Sequence, residues 1–239
     1  LTFQSAHHHH VIMIVIDAFP GSLTEQACTA LKRDIVTTAL APGLALSEAG
    51  LADRYGFGKA PIRAALARLA EEGLVRSAAR RGWQVTPVTL RDVREVFELR
   101  LVLEPAAAAM AAGRVDEARL RALDQVMIAS YDPGDHASTL AFLEANRAFH
   151  CEIADLSGNQ RLARQIARLL DEMTRMLLLG LGGRDRTGEM AHEHRELIDA
   201  LVSGDANAAA SVTHAQIEES RKMVLAALVS GEGRGVSVA

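Results

Sequence analysis

Several side chains in this sequence have a type and spacing that could do chemistry. Lys59 and Arg63 are four residues apart, so on a helix they share a face and offer two cations to an anionic partner. Arg80, Arg81 and Gly82 concentrate further positive charge in a short segment that a glycine allows to turn. Arg100 stands among Phe97, Leu99, Leu101 and Val102. A guanidinium in such a setting can grip a carboxylate through two parallel hydrogen bonds, or close an internal ion pair with Glu104 one turn on. Asn146 and His150 also lie four apart, so both can face one cavity, while His192 and His214 read as hydrogen-bonded residues of helix interfaces, a reading that fits His150 and His194 less well.

The elements that must position these groups fall into two sets. Leu23, Ala27, Ala30, Leu31, Ile35 and Ala39 recur at helical spacing and predict a helix over 23–40, which Pro42-Gly43 stops. Ser47 can cap a short helix over 48–55, Gly56-Phe57-Gly58 breaks it, and a third helix follows over 59–72 with Ile62, Leu66 and Leu69 on its inner stripe. Pro61 fits there because the first helical turn has no partner for its missing N–H. Two helices joined by a glycine-containing turn, the second cationic at its start, make a helix-turn-helix, although a buried helical hairpin would read similarly. Leu74-Val75-Arg76 and Trp83-Gln84-Val85 then read as strands around the basic loop 77–82, which makes the module a winged helix with Arg80, Arg81 and Gly82 at the wing tip.

Charge is divided in the same way. Residues 31–90 carry nine basic and five acidic side chains, whereas the rest of the chain carries seventeen and twenty-five, for an overall net charge of −4. A basic module beside an acidic one is the distribution of a DNA-binding domain joined to a regulatory domain, with an unevenly charged ordinary surface as the plain alternative.

Residues 35–85 resemble the DNA-binding domain of the GntR regulator family, on Pro42-Gly43, Leu46, Glu48, Leu51-Ala52, Gly56 through Pro61, Arg63, Ala65-Leu66, Gly73-Leu74 and Gly82. The resemblance implies contact with double-stranded operator DNA through Lys59, Ala60, Arg63 and Arg68 of the recognition helix and Arg80, Arg81 and Gly82 of the wing. Three positions depart from the family pattern. Gly58 replaces a serine that caps the recognition helix, Lys59 replaces an arginine, and Ala49 occupies a place often held by a base-contacting arginine. Lysine lacks the bidentate fork, so guanine reading at Lys59 is weaker.

Beyond Thr86-Pro87-Val88-Thr89, with Thr89 as a cap, periodicity predicts helices over 90–112, 116–131, 137–157, 160–181, 187–203 and 205–230. The expected fold is therefore mainly α: a winged helix-turn-helix at 23–86, then an all-α antiparallel bundle at 90–230, with 1–22 a leader or tag remnant bearing four consecutive histidines and 231–239 a flexible tail. Glu95 to Ala112, Asn146 to His150, Ser157-Gly158-Asn159 and His194 to Asp205 resemble the FCD effector domain of the FadR-like branch of that family.

That resemblance implies a small organic acid bound by Arg100, Asn146, His150, His194 and Gln216, and a divalent ion of the zinc, nickel or manganese class on Asn146, His150 and His194. Asn146 stands where the family has an aspartate, and the family spacing reaches Gln216 where a histidine is usual. His214, two residues earlier, lies about 200° away around a helix of ~3.6 residues per turn. An Asn, His, His, Gln set is neutral and has only two good nitrogen ligands, a poor match for Zn²⁺.

The expected protein is a homodimeric repressor of the cytoplasm that an effector releases from DNA. Cys28 and Cys151 suggest no disulfide framework, and no apolar run approaches the ~20 residues of a membrane span. Two other readings remain open: a metal-dependent enzyme in a helical bundle, although no activated nucleophile, paired acid and base or Gly-rich phosphate loop is recognisable, and an interaction module with a degenerate winged helix.

Overall fold

The computed structural model describes residues 21–78, 82–129, 135–180, 187–229 and 236–237. The histidine-bearing leader, the apolar run 11–16 and the wing-tip residues Arg80 and Arg81 lie outside them.

The N-terminal module opens with α1 (Leu23–Val36). Ser22 and Glu25 form a reciprocal capping box: the Glu25 N–H donates to Ser22 Oγ at 3.3 Å, and the Ser22 N–H donates to Glu25 Oε2 at 2.7 Å. The helix stops four residues before the expected end at Leu40. Thr37 folds its hydroxyl onto the Arg33 carbonyl at 2.8 Å, and Thr38 turns the chain with a φ of +59°. Strand β1 (Ala45–Leu46) leads into α2 (Glu48–Tyr55), which Ser47 caps and left-handed Gly56 ends, and α3 (Lys59–Glu71) follows. Leu31, Ile35, Ile62, Leu66 and Leu69 are fully buried where these helices meet, each contributing about 1.5–3 kcal/mol.

Strands β2 (Val75–Ala78) and β3 (Gly82–Val85) pair antiparallel, and β1 joins the other edge of β3. Gly82 serves this sheet directly. Its φ is +79°, and a Cβ there would stand 2.9 Å from the Leu46 carbonyl oxygen, so only glycine lets the wing close on β1. On the inner side Asp34 accepts hydrogen bonds from Tyr55 Oη at 2.6 Å and Arg54 Nη2 at 3.1 Å, which ties α1 to α2.

Strand β4 (Val88–Thr89) pairs in parallel with β5 (Val236–Ser237), so two residues of the C-terminal tail lie beside the linker. Thr89 and Asp92 form another capping box, at the start of α4 (Leu90–Ala111). The bundle continues with α5 (Glu117–Ala129), α6 (His136–Leu156), α7 (Gln160–Gly180), α8 (Thr187–Ser203) and α9 (Ala206–Val229). Phe97, Leu143, Ile166, Leu170 and Met173 form one apolar cluster, and Phe149, Leu120, Leu197, Ile198 and Leu201 form another. Polar side chains from five of the helices meet beside these clusters. No described helix is long and apolar enough to cross a membrane.

Candidate nucleic-acid interface and buried polar pocket

The outer face of α3 exposes Lys59, Ala60, Arg63 and Ala64 beside its N-terminus. Gly58 is the N-cap and makes no side-chain cap, and Ala49 of α2 is exposed nearby without a polar group. Arg63 is held by Glu48 of α2: Nε lies 3.0 and 2.9 Å from the two carboxylate oxygens and Nη2 lies 2.7 Å from Oε2. This hydrogen bonding draws the Glu48 carboxyl below its ordinary range, against a small opposing effect of burial, with Trp83 and Lys59 assisting. Lys59 forms no ion pair among the described residues. Arg68 does not join this face. It lies nine residues beyond Lys59, about 180° around an ideal helix, and its charge acts on Glu25 and Cys28 of α1.

The second site is buried. Arg100 and Glu104 of α4 are 3% and 4% exposed and form a bidentate pair, with Nε to Oε1 at 2.5 Å and Nη2 to Oε2 at 3.3 Å, so the internal ion pair is the arrangement found. Arg100 Nη1 meets the Met173 sulfur of α7. His150 of α6 places Nδ1 3.8 Å from Glu104 Oε2, and its ring meets that of His194, on α8, edge-on at 5.4 Å. Burial first, then the His194 and Arg100 charges, hold His150 well below its ordinary pKa. His194 stacks on Phe149 at 4.1 Å and sets Nδ1 3.0 Å from Asp124 Oδ1 of α5. An ionised carboxylate only accepts, so this contact places a proton on His194 Nδ1.

Asn146, one turn before His150 on α6, and Gln216 of α9 are buried as well. Gln216 donates through Nε2 to the Glu193 carbonyl at 2.6 Å, and both amide oxygens, Asn146 Oδ1 and Gln216 Oε1, are buried without a partner. His214 is exposed on the opposite side of an uninterrupted α9. The open space between Glu104, His150, Ala154, Ile166, Leu197 and Thr213 is about 10 Å³, room for one water molecule.

These donors do not fit a tightly held divalent ion. Two imidazoles and two amide oxygens carry no negative charge, and the Arg100 cation stands beside them. Glu104 and Asp124, the nearby carboxylates, are engaged by Arg100 and His194. Among the described residues no three His, Cys, Asp or Glu side chains are grouped to hold a metal.

A charged seam joins the two modules. Lys32 of α1 lies 2.8 Å from Glu72, at the end of α3, and 2.7 Å from Asp171 of α7. Burial opposes the Lys32 charge, but these two carboxylates outweigh it and raise the ammonium above its ordinary pKa. Arg147, beside Asn146 on α6, reaches the other Asp171 oxygen at 2.5 Å, and Arg175 Nη2 donates to the Thr86 carbonyl in the linker at 2.6 Å. A cleft of about 360 Å³ opens between α1 and α6/α7 at this seam.

Sequence reasoning named the pocket residues on α4, α6, α8 and α9 but missed Asp124, Asp171 and Lys32. A signal existed for Asp124, which sits between Leu120 and Met127 on the buried stripe of α5 where an apolar residue is the norm.

A winged helix with a cationic outer helix face, followed by an all-α domain around a buried polar cluster, defines a DNA-binding transcriptional regulator of bacterial type. The chain belongs to the bacterial regulatory proteins of the gntR family, which its residues 23–85 match, and residues 95–219 match the FCD domain. It is 27% identical over 205 residues to the HTH-type transcriptional repressor RspR of Escherichia coli K12, covering 84% of this chain and 90% of that protein. It is also 27% identical over 181 residues to the HTH-type transcriptional regulator YdhC of Bacillus subtilis, covering 75% and 80%. The solved structure of E. coli McbR/YncC superposes with a TM-score of 0.74 at 25% identity, covering 88% of this chain and 99% of that one. RspR and YdhC are transcriptional regulators, not enzymes.

Proposed function

We propose that this protein is a homodimeric repressor whose hold on its operator is weakened by a small organic acid bound inside the FCD domain. The observation that carries the reading is the buried run of contacts from Arg100 through Glu104 and His150 to His194, together with Asn146 and Gln216, whose two buried amide oxygens lack partners. Unpaired buried polar atoms cost about 1–3 kcal/mol each, and a ligand that donates to them removes that cost. The space is too small for a metabolite as it stands, so entry requires Glu104 to release Arg100. The acid's carboxylate then takes the Arg100 fork, and Glu104 turns to His150, already 3.8 Å away. No metal takes part in this scheme, since the donor set is neutral.

Transmission to DNA runs through α6 and α7. Asn146 and His150 share α6 with Arg147, Met173 shares α7 with Asp171 and Arg175, and Asp171 holds Lys32, which holds the end of α3. A ligand that moves Arg100 and Met173 therefore pulls on the seam, and affinity for DNA changes by the ligand's preference between the two arrangements. In the dimer two copies of α3 place Lys59, Ala60 and Arg63 in successive major grooves, with Arg80, Arg81 and Gly82 of the wing alongside. A face for the second copy is available on α4, where Leu99 (51% exposed), Val102 (67%), Ala106 and Met110 form an outward apolar stripe. The repressor sense follows the named role of RspR. The site of action is the cytoplasm, where the DNA is.

Fluorescence anisotropy with duplexes enriched from a random pool, titrated with a panel of mono- and dicarboxylates, is the test. A member of the panel should weaken binding for the wild type but not for Arg100→Met. Enriched DNA that no carboxylate releases, together with native mass spectrometry showing no acid carried through purification, would overturn the effector reading.

A further inference from the structure

The Arg63 guanidinium is held along one edge only. Its Nε–H and one Nη2–H point at Glu48, at 2.9 and 2.7 Å, which occupies the side-on edge of the fork. The end-on edge, formed by Nη1 and the remaining Nη2 hydrogen, has no partner among the described residues and belongs to a side chain that is 68% exposed. Glu48 is the first residue of α2, and the Trp83 indole N–H of β3 lies 3.5 Å from its Oε1. Helix α2, helix α3 and the wing thus converge on one carboxylate. Lys59, a turn earlier on the same face, has no such buttress among the described residues.

We infer that Arg63 reads a guanine through its end-on edge, donating to O6 and N7, and that Glu48 is the positioning residue that aims it. Lys59 supplies charge without base preference. The inference rests on α3 being the helix that enters the major groove. An arginine fixed before binding gives up less side-chain freedom on reaching the base, and only a fixed fork discriminates by direction. Guanine is the base that offers two acceptors on its major-groove edge. Glu48 also sets a negative charge beside the phosphates, which weakens attraction to DNA of any sequence. Removing that charge should therefore move the two properties in opposite directions, whereas a merely structural residue would lower both together.

The experiment enriches duplexes from a random pool with the full chain, then measures anisotropy against the enriched duplex, the same duplex with guanine replaced at the preferred position, and a scrambled duplex. The wild type should prefer guanine at one position of each half-site by about tenfold or more. Glu48→Gln should cut that preference to about twofold while binding the scrambled duplex more tightly than the wild type does. Arg63→Lys should lose the preference and keep the salt dependence, and Glu48→Gln should change discrimination no further in that background. Lys59→Gln should weaken enriched and scrambled duplexes alike. Circular dichroism melting checks each variant's fold, and Arg63→Lys, a charge-conserving surface change, carries the test if Glu48→Gln unfolds. A guanine preference that survives Arg63→Lys or a folded Glu48→Gln, or a Glu48→Gln that weakens every duplex equally, overturns the inference. Enrichment without a guanine overturns it and leaves DNA binding standing; no enrichment overturns both.

Discussion

Two arginine–glutamate pairs, chemically alike, do opposite work in this molecule. Arg63–Glu48 lies on the outer face of α3 with its arginine 68% exposed, whereas Arg100–Glu104 is 3% and 4% exposed at the centre of the FCD domain. In water the first pair adds little to stability, because solvent screens the attraction and both side chains lose freedom to form it. Its use is directional, since it holds one edge of a guanidinium so that the other stays available. The second pair has been taken out of water at a cost of several kcal/mol per ion, which its mutual attraction and two hydrogen bonds offset only while both partners are present. A buried pair of this kind stores a demand that an incoming carboxylate can meet in place of Glu104.

The contrast can be broken most forcefully at Glu104. Glu104→Ala strands the Arg100 charge in an apolar interior and should lower unfolding free energy by about 3–5 kcal/mol in urea titrations. Replacing both partners together, Arg100→Met with Glu104→Leu, should recover most of that loss while leaving the domain blind to carboxylates. If Glu104→Ala unfolds no more easily than the wild type, the pair is solvated and the distinction between the two settings fails.

The difference in setting also explains what could be read from the sequence. The winged helix was legible because its determinants are local: Ser47 before α2, Gly56 at its left-handed end, Pro61 in the first turn of α3, and Gly82 where the wing meets β1. The bundle was legible through the breaks between its helices, within one or two residues at most ends. The arrangement of the pocket was only half legible. Spacing within one helix paired Arg100 with Glu104 and Asn146 with His150, but which helices meet is a long-range matter. Asp124 reaches His194 across 70 residues of chain, and no periodicity announces it. The seam was invisible for the same reason: Lys32 and Asp171 look like ordinary solvated charges until α1 and α7 are set side by side. The end of α1 was missed as well: the chain leaves the helix at Thr38, whose φ is +59°, before the apolar pattern runs out.

A gentler way to separate the two regions is pH. His150 is buried and neutral, with Glu104, Arg100 and His194 around it, and its pKa is depressed from the ordinary 6.5. Between that ordinary value and the depressed one, the unfolded chain takes up a proton that the folded chain refuses. Stability should therefore be constant in this respect above about pH 7.5 and fall as pH drops below about 6.5, by up to about 1.4 kcal/mol per pH unit. His150→Gln should flatten that slope in denaturant titrations at pH 7.5, 6.5 and 5.5. A slope unchanged by the substitution would assign the acid sensitivity to another group and leave the pocket without a buried neutral imidazole.

The smallest effect is expected on the DNA side, at Gly58. Its φ of −69° and ψ of 160° are open to any residue, and a Cβ there would find Pro61 Cδ at a comfortable 3.7 Å. A serine hydroxyl at this N-cap would accept from the Ala60 N–H, because the usual alternative one residue further on is Pro61, which has none. Gly58→Ser should therefore stabilise the chain by only a few tenths of a kcal/mol, the usual difference between glycine and serine at this position. The hydroxyl would also sit at the cationic start of α3, within reach of a phosphate, so affinity should rise slightly and equally for enriched and scrambled duplexes. Thermal melts and anisotropy on one preparation measure both effects. An increase confined to the enriched duplex would mean that Gly58 lies against a base rather than the backbone, and would move the reading centre of the helix from Arg63 toward its first residue.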